Sequence, residues 1–344
     1  MRKPTEPKAA AAANESQPLV ARVFAALADG EFHSGEQLAS ELGVSRGAIW
    51  KAVDSLRELG ATLHAVRNRG YRLRSGGDAL AAPRIRELLP AAIRRHVRAV
   101  ETAWTVDSTN SVLLGRPNPP LGVCDVLLAE YQTAGRGRRG RSWLAPPGGA
   151  ICLSLSWTFG EVPHDLGALG LAIGVCGLRA LAALGVGNTT LKWPNDILSG
   201  GGKLGGILIE LRAESAGPAC VIIGIGINVA LGPTLLRRIE EIGAAATDLA
   251  SAGLSQPSRN GLAAALVSQM VQALPAFEQE GLRPFVEEWR TADALRGRQV
   301  DVHTMEGVTR GVARGIDLHG ALMVETLQGV RRFISGEVTV RPVE

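Results

Sequence analysis

The sequence predicts an α/β protein with a mixed central sheet, preceded by a winged helix-turn-helix and followed by a small β-barrel. Three observations carry that expectation. Two short capped helices joined by Gly43-Val44-Ser45 lead into a basic hairpin. From residue 97 to residue 290, apolar strand-like runs alternate with helical ones. Beyond Leu295 the pattern changes to short strands broken by turns. The expected divisions are a disordered tail at 1–16, the winged-helix head at 17–75, a central α/β domain at 76–292 and the barrel at 293–344.

Composition agrees with a globular chain of two or three domains: 344 residues, 46% hydrophobic and 20% charged. Glycine is abundant at 42 residues, which predicts many tight turns. A net charge of +4 permits a nucleic-acid partner without demanding one. The four cysteines (Cys124, Cys152, Cys176, Cys220) lie far apart in apolar runs, so buried reduced thiols of a cytoplasmic protein are expected. The apolar stretch 166–184 is interrupted by glycines and carries Arg179, which reads as a buried helix and not as a membrane span.

In the head, Leu19–Ala28 has helical spacing. Ser34 starts a helix that Gly43 ends, and Ser45 caps a second that runs to Leu59. Burying Ile49, Val53 and Leu56 turns Arg46, Gly47, Trp50, Lys51 and Asp54 outward, where a recognition helix meets base edges. Trp50 is odd there, because indole reads no base-edge code; packing under a neighbour is the alternative. The hairpin 62–74 turns at Arg67-Asn68-Arg69-Gly70 in a span free of acids, so Arg67 and Arg69 suit phosphate contact. A purely protein-docking role is the competing reading of this module. Ser75 to Ala82 reads as a linker.

In the central region a helix over 83–89 precedes a strand, Val97–Val106, and Asp107-Ser108-Thr109-Asn110 opens a helix. That polar cluster suits either a helix cap or a ligand's head group. Strands over 123–128 and 151–157 flank Gly135-Arg136-Gly137-Arg138-Arg139-Gly140-Arg141. Glycine admits close approach of backbone N–H groups to an anion, and arginine forks match phosphate or carboxylate oxygens, so this loop reads as a phosphate clamp. A solvated basic loop and a nucleic-acid contact are the alternatives.

Gly135-x-Gly137-x-x-Gly140 matches the dinucleotide fingerprint in letters only: a Pro-Pro turn follows instead of a helix, and no acid occurs between Tyr131 and Glu161. Further on, Lys192-Trp-Pro-Asn-Asp196 makes a turn whose Asn195 and Asp196 suit a metal or an amine. Lys203 follows a glycine turn, but Leu198 and Leu204 break the P-loop spacing. Ala219–Val229 reads as a strand with Asn228 at its end, and helices are expected over 233–242, 261–280 and 283–290. Turns at 306–307, 319–320, 328–329 and 335–336 then space the C-terminal strands.

None of the six histidines falls in the glycine, arginine and lysine segments and no Gly-x-Ser-x-Gly elbow occurs, which argues against serine and zinc hydrolases. The remaining set of cations and N–H donors suits a reaction in which two substrates combine while the protein positions them and stabilises phosphate charge.

Gly135–Trp143, Lys192–Asp196, Lys203–Glu210 and Gly224–Asn228 together resemble the biotin protein ligases, in order and spacing. With the winged helix, including Gly30–Leu38 and Gly70-Tyr71, the chain resembles the bifunctional bacterial type that also represses biotin genes. This resemblance implies a C-terminal barrel of SH3-like form and a two-step reaction. Biotin and MgATP would give biotinyl-5′-AMP and pyrophosphate, and a lysine of the biotin carboxyl carrier protein of acetyl-CoA carboxylase would take the biotinyl group. By the same resemblance Ser108, Thr109, Asn110, Gln132, Arg136, Gly137, Arg138 and Lys203 would hold biotin. ATP would lie against Arg136, Arg138, Arg139, Arg141, Trp143, Lys192, Asn195 and Asn228. Lys203, Arg138 and Asp196 would be catalytic, with Asp196 either orienting the acceptor lysine or helping Mg2+. A homodimer loaded with biotinyl-AMP and bound to operator DNA, cytoplasmic and away from membranes, is also implied. A biotin-sensing repressor without catalysis and a lipoate-type ligase are the competing functions.

Overall fold

The computed structural model describes residues 17–74, 77–213, 218–241, 245–254, 257–304, 307–334 and 339–342. The expected tail at 1–16, Ser75 and Gly76 of the linker, Glu306 of one turn and the whole turn at 335–336 lie outside them.

The head contains α1 (Leu19–Leu27), α2 (Gly35–Leu42), α3 (Arg46–Glu58), β1 (Leu63–Val66) and β2 (Gly70–Leu73). The expected caps are present: Ser34 Oγ accepts from Gln37 N at 3.0 Å and Ser45 Oγ from Ala48 N at 3.2 Å. Gly43 closes α2 with φ +66°. Phe24, Leu38, Ile49, Val53, Leu56 and Leu73 share the head's core. The wing β1–β2 is held to the helices through Tyr71, whose backbone pairs with His33. A Cβ on Gly70 would lie 2.0 Å from the His33 carbonyl oxygen, so only glycine fits there.

The central domain opens with α4 (Ala82–Leu88), α5 (Ala91–Arg94), β3 (Val97–Val106), α6 (Thr109–Leu114), β4 (Cys124–Gln132), β5 (Ala150–Phe159) and α7 (Leu169–Ala183). It continues with β6 (Thr189–Lys192), β7 (Asp196–Ser199), β8 (Gly202–Ala213), β9 (Ala219–Asn228), α8 (Pro233–Glu241), α9 (Arg259–Glu280) and α10 (Val286–Thr291). The seven strands form one mixed sheet, ordered β3-β4-β5-β9-β8-β7-β6, in which β3 and β4 are parallel and the other pairs antiparallel. Side chains alternate across the strands. Val221, Ile223, Ile225 and Ile227 of β9, with Ile151, Leu153 and Leu155 of β5, face α7 and α9 in the main core. The opposite face of β9 carries Gly224, Gly226 and Asn228.

Residues 166–183 are long and apolar enough by composition to cross a membrane. Here they form a 3-10 turn and α7, and Leu169, Ile173, Val175, Cys176 and Leu181 are buried in the main core.

The linker is pinned, not loose, over 78–81. Arg259 N donates to Asp78 Oδ1 at 2.5 Å, Asn260 Oδ1 accepts from Ala81 N at 2.8 Å and Glu130 Oε1 accepts from Leu80 N at 2.6 Å. Behind them Arg259, fully buried, pairs with buried Glu130 at 2.6 Å. Head and body also touch through their aromatics, with the Phe24 and Trp104 ring centroids 5.3 Å apart.

The C-terminal unit is a five-stranded antiparallel sheet, β10 (Gln299–Thr304), β11 (Gly307–Ile316), β12 (Leu322–Thr326), β13 (Gly329–Phe333) and β14 (Thr339–Pro342), ordered β13-β12-β11-β10-β14. Val300, Val302, Ala313, Leu322 and Val324 join the core shared with the central domain. The seam is backbone pairing: Leu191 of β6 bridges Asp293, with Leu191 N donating to Ala292 O at 2.7 Å and Leu191 O accepting from Ala294 N at 2.8 Å.

Candidate functional site

A cavity of about 520 Å³ lies between the basic loop and the glycine face of the sheet. The room comes from missing side chains. A Cβ on Gly224 would lie 2.4 Å from Asn110 Oδ1, and one on Gly226 would lie 2.6 Å from the Trp143 ring. Gly224 and Asn228 mark the two ends, about 13 Å apart along the strand.

At the first end Ser108, Thr109, Asn110 and Gln132 line the cavity. Ser108 occupies the N-cap position of α6 without a side-chain cap bond, so the polar cluster does more than cap a helix. Thr109 N donates to Gln132 Oε1 at 2.8 Å. Asn110 Nδ2 donates to Glu210 Oε2 at 2.9 Å, and its Oδ1 lies 2.5 Å from Ser154 Oγ. Ser154 Oγ is also 2.7 Å from Thr109 Oγ1.

The loop between β4 and β5 closes as a hairpin. Trp143 N donates to Gly135 O at 2.8 Å, Arg136 bridges Ser142, and Arg139 and Gly140 take φ of +57° and +72° at the tip. Arg136, Gly137, Arg138, Arg141 and Trp143 line the cavity, whereas Arg139 sits on the exposed tip and does not. Arg136 pairs with Glu210 at 2.9 Å. Burial, then the neighbouring Arg139, pull the Arg138 guanidinium below its ordinary value, opposed by Asp196. A cation desolvated in this way gains most from an anionic ligand. Trp143 Nε1 is buried without a hydrogen-bond partner, which also points to a group supplied from outside.

From the sheet, Lys203 reaches in beside the Trp143 ring, with Nζ 6.0 Å from its centroid, and pairs with Asp196 Oδ1 at 2.6 Å. Asp196 does not itself line the cavity; its role visible here is to hold Lys203. Asn195 lines the wall and is fixed by its Nδ2, which donates to Ile207 O at 2.8 Å. Lys192 is not among the lining residues. At the far end Asn228 Nδ2 donates to Thr247 O at 2.9 Å and Lys203 O at 3.1 Å, beside Leu231, Ile239 and Ala245-Ala246. Glu210, Ser154 and this far wall escape a sequence reading. The Gly-Ile-Gly-Ile alternation of β9 is the signal that could have located the wall beside them. Cys152 also lines the cavity; burial pushes its thiol up to about 11, so it is an inert wall group and not a nucleophile. Among the described residues no group of three or more His, Cys, Asp or Glu side chains is placed to hold a metal.

In the head, Arg46, Gly47 and Lys51 are exposed on α3, and Trp50 is 55% exposed, so the indole is not packed under a neighbour. Arg67 and Arg69 are exposed at the wing tip, where Arg69 lies 4.3 Å over the Phe32 ring.

Comparison with known proteins accounts for all three parts. The biotin/lipoate A/B protein ligase family matches residues 103–228, a helix-turn-helix (HTH) domain 22–72 and the biotin protein ligase C-terminal domain 296–341. The bifunctional ligase/repressor BirA of Salmonella typhimurium is 39% identical over 320 residues, 92% of this chain and 96% of its own. The biotin–[acetyl-CoA-carboxylase] ligase of Mycobacterium tuberculosis is 36% identical over 66% of this chain and 84% of its own. The structure of the Aquifex aeolicus biotin protein ligase in complex with biotin and ATP superposes with a TM-score of 0.58 at 28% identity, covering 72% of this chain and 100% of that one. A relationship at that level along nearly the whole length, head included, makes this chain a member of the biotin protein ligase family, of the bifunctional ligase/repressor type.

Proposed function

We propose that the chain joins biotin to ATP and passes the biotinyl group to a lysine of a carrier protein. The observation that carries this is one cavity with a neutral polar end at Thr109–Asn110 and cations along its length at Arg136, Arg138, Arg141 and Lys203. In the first step a biotin carboxylate oxygen bonds to the α-phosphorus, and the bond to the bridging oxygen breaks as pyrophosphate leaves. Lys203 and Arg138 hold the negative charge that develops there. In the second step the acceptor amine bonds to the acyl carbon, AMP leaves and the amine loses a proton. Thr109, Asn110 and Gln132 are assigned to the biotin ring, and Trp143 and Asn228 to the nucleotide. Arg139 and Lys192, outside the cavity lining, are assigned outer contacts with the phosphates.

Mg2+ would be carried in on the nucleotide's phosphates, which would supply most of its oxygen ligands, with Asp196, here paired with Lys203, the carboxylate that would help to hold it. Such an ion would neutralise phosphate charge. The carrier is the biotin carboxyl carrier protein of acetyl-CoA carboxylase. The exposed α3 face (Arg46, Gly47, Trp50, Lys51) and wing (Arg67, Arg69) support operator binding by a biotinyl-AMP-loaded homodimer in the cytoplasm. The pinned segment 78–81 and the seam at Asp293 support a head at 17–75, a catalytic domain at 76–292 and a C-terminal domain at 293–344. Biotin-dependent exchange of pyrophosphate into ATP tests the enzyme reading. Its presence is expected; its absence with biotin bound would leave a sensing repressor, and exchange driven by lipoate would favour the other branch of the family.

A further inference from the structure

The proton count around Asn110 fixes which way its hydrogen bonds run. Glu210, ion-paired with Arg136, and the Leu208 carbonyl have no proton to give, so Asn110 Nδ2 must face them, and does so at 2.9 and 3.3 Å. The Asn110 carbonyl oxygen then points at Ser154 Oγ, 2.5 Å away, and the single Ser154 proton goes to it. The 2.7 Å contact between Ser154 and Thr109 hydroxyls therefore needs the Thr109 proton. Thr109 is left facing the cavity with lone pairs and no hydrogen to offer. Gln132 Oε1 takes the Thr109 N–H at 2.8 Å and lies 3.2 Å from Thr109 Oγ1, a longer contact than the 2.7 Å one to Ser154, so the Thr109 proton stays on the Ser154 side while Gln132 Nε2 remains a donor.

We propose that Glu210, which does not line the cavity, is a positioning residue: through Asn110 and Ser154 it makes the Thr109 end of the cavity an acceptor for N–H groups of the ligand ring. This rests on assigning that end to biotin, whose ureido ring carries two N–H donors. Hydrogen bonds in such a string polarise one another, and reversing one reverses the rest. Glu210→Gln removes the shorter of the two contacts that hold the amide, because a carboxamide can turn its NH2 toward Asn110, leaving only the 3.3 Å contact with Leu208 O against a flip. Gly224 is part of the same device, since a Cβ there would displace the Asn110 carbonyl oxygen.

The test is a double-mutant cycle read by calorimetric titration with biotin alone. Glu210→Gln and Ser154→Ala, whose side chains meet only through Asn110, should each weaken biotin binding about tenfold, in line with one hydrogen bond to a buried group. The double variant should bind no more than about twofold worse than the weaker single, because either change already breaks the string. Losses that multiply to about a hundredfold, or a Glu210→Gln variant that binds like the wild type, would overturn the proposal while leaving the site assignment intact. Failure of the unmutated protein to bind biotin would overturn both. Should Glu210→Gln not fold, Glu210→Asp withdraws the acceptor from Asn110 and completes the same cycle.

Discussion

Lys203 shows how one residue is placed by several independent constraints. A Gly200-Gly201 turn brings the chain back into β8, Asp196 holds the ammonium, and Asn228 holds the carbonyl oxygen of the same residue. Replacing Lys203 with alanine should slow formation of the acyl-adenylate by a factor of about 10² to 10³, the usual loss when one oriented charge at a reacting centre is removed. Single-turnover adenylation measures it, and an unchanged rate would show the charge acts elsewhere. Gly226 makes the converse point, since its use is to have no side chain. Gly226→Ala would put a methyl 2.6–3.0 Å from the Trp143 ring, so the indole must move. The expected result is a several-fold rise in KM for ATP with KM for biotin nearly unchanged, seen in exchange assays varying each substrate in turn. These two residues also mark what sequence can tell. A glycine-flanked lysine among known motifs is recognisable as a point charge. Glu210 sits in the same run and looks like an ordinary strand residue, because its meaning depends on Asn110, a hundred positions away.

At the level of elements the helices and strands were largely legible, because caps, glycines and period-two runs stand close together in the chain. The β9 run was legible as a strand ending on Asn228, but its division into a core face and a cavity face was not read from it. The segment 245–249, which closes the far end of the cavity by pairing with Lys203 and Asn228, carries no such pattern; it is ordinary backbone recruited by position. The wing offers a test at this scale. Arg67 and Arg69 stand on a hairpin that Gly70 and Tyr71 anchor to His33, so removing their charges should leave the hairpin in place. Arg67→Ala should lower the slope of log binding constant against log salt on duplex DNA by about 0.9, the value for one lost phosphate contact. Fluorescence anisotropy over a salt series measures it. An unaltered slope would place the wing off the DNA.

For the whole molecule, the seams matter more than the domains they join. Asp293 stands where β6 meets the C-terminal sheet; its Oδ1 accepts from Leu295 N, while Oδ2 is buried without a partner. Burial pushes this carboxyl up to about 6, above the ~3.9 of an unfolded chain. Because the folded value is the higher, the contribution of Asp293 to stability is complete below about pH 4 and is lost as pH rises through about 6. Asp293→Asn keeps the bond to Leu295 and removes the charge. It should stabilise the protein by about 3 kcal/mol at pH 7.5 and by almost nothing at pH 4. Urea unfolding at the two pH values distinguishes this from a gain equal at both.

The glycine face of β9 has a consequence for how the site can change over time. A pocket made by prying two elements apart can sag shut when nothing fills it, but a smooth floor laid on a fully bonded sheet has nowhere to sag. The lower half of the mould therefore persists whether or not a guest is present, and adaptation to a different guest has to come from the roof.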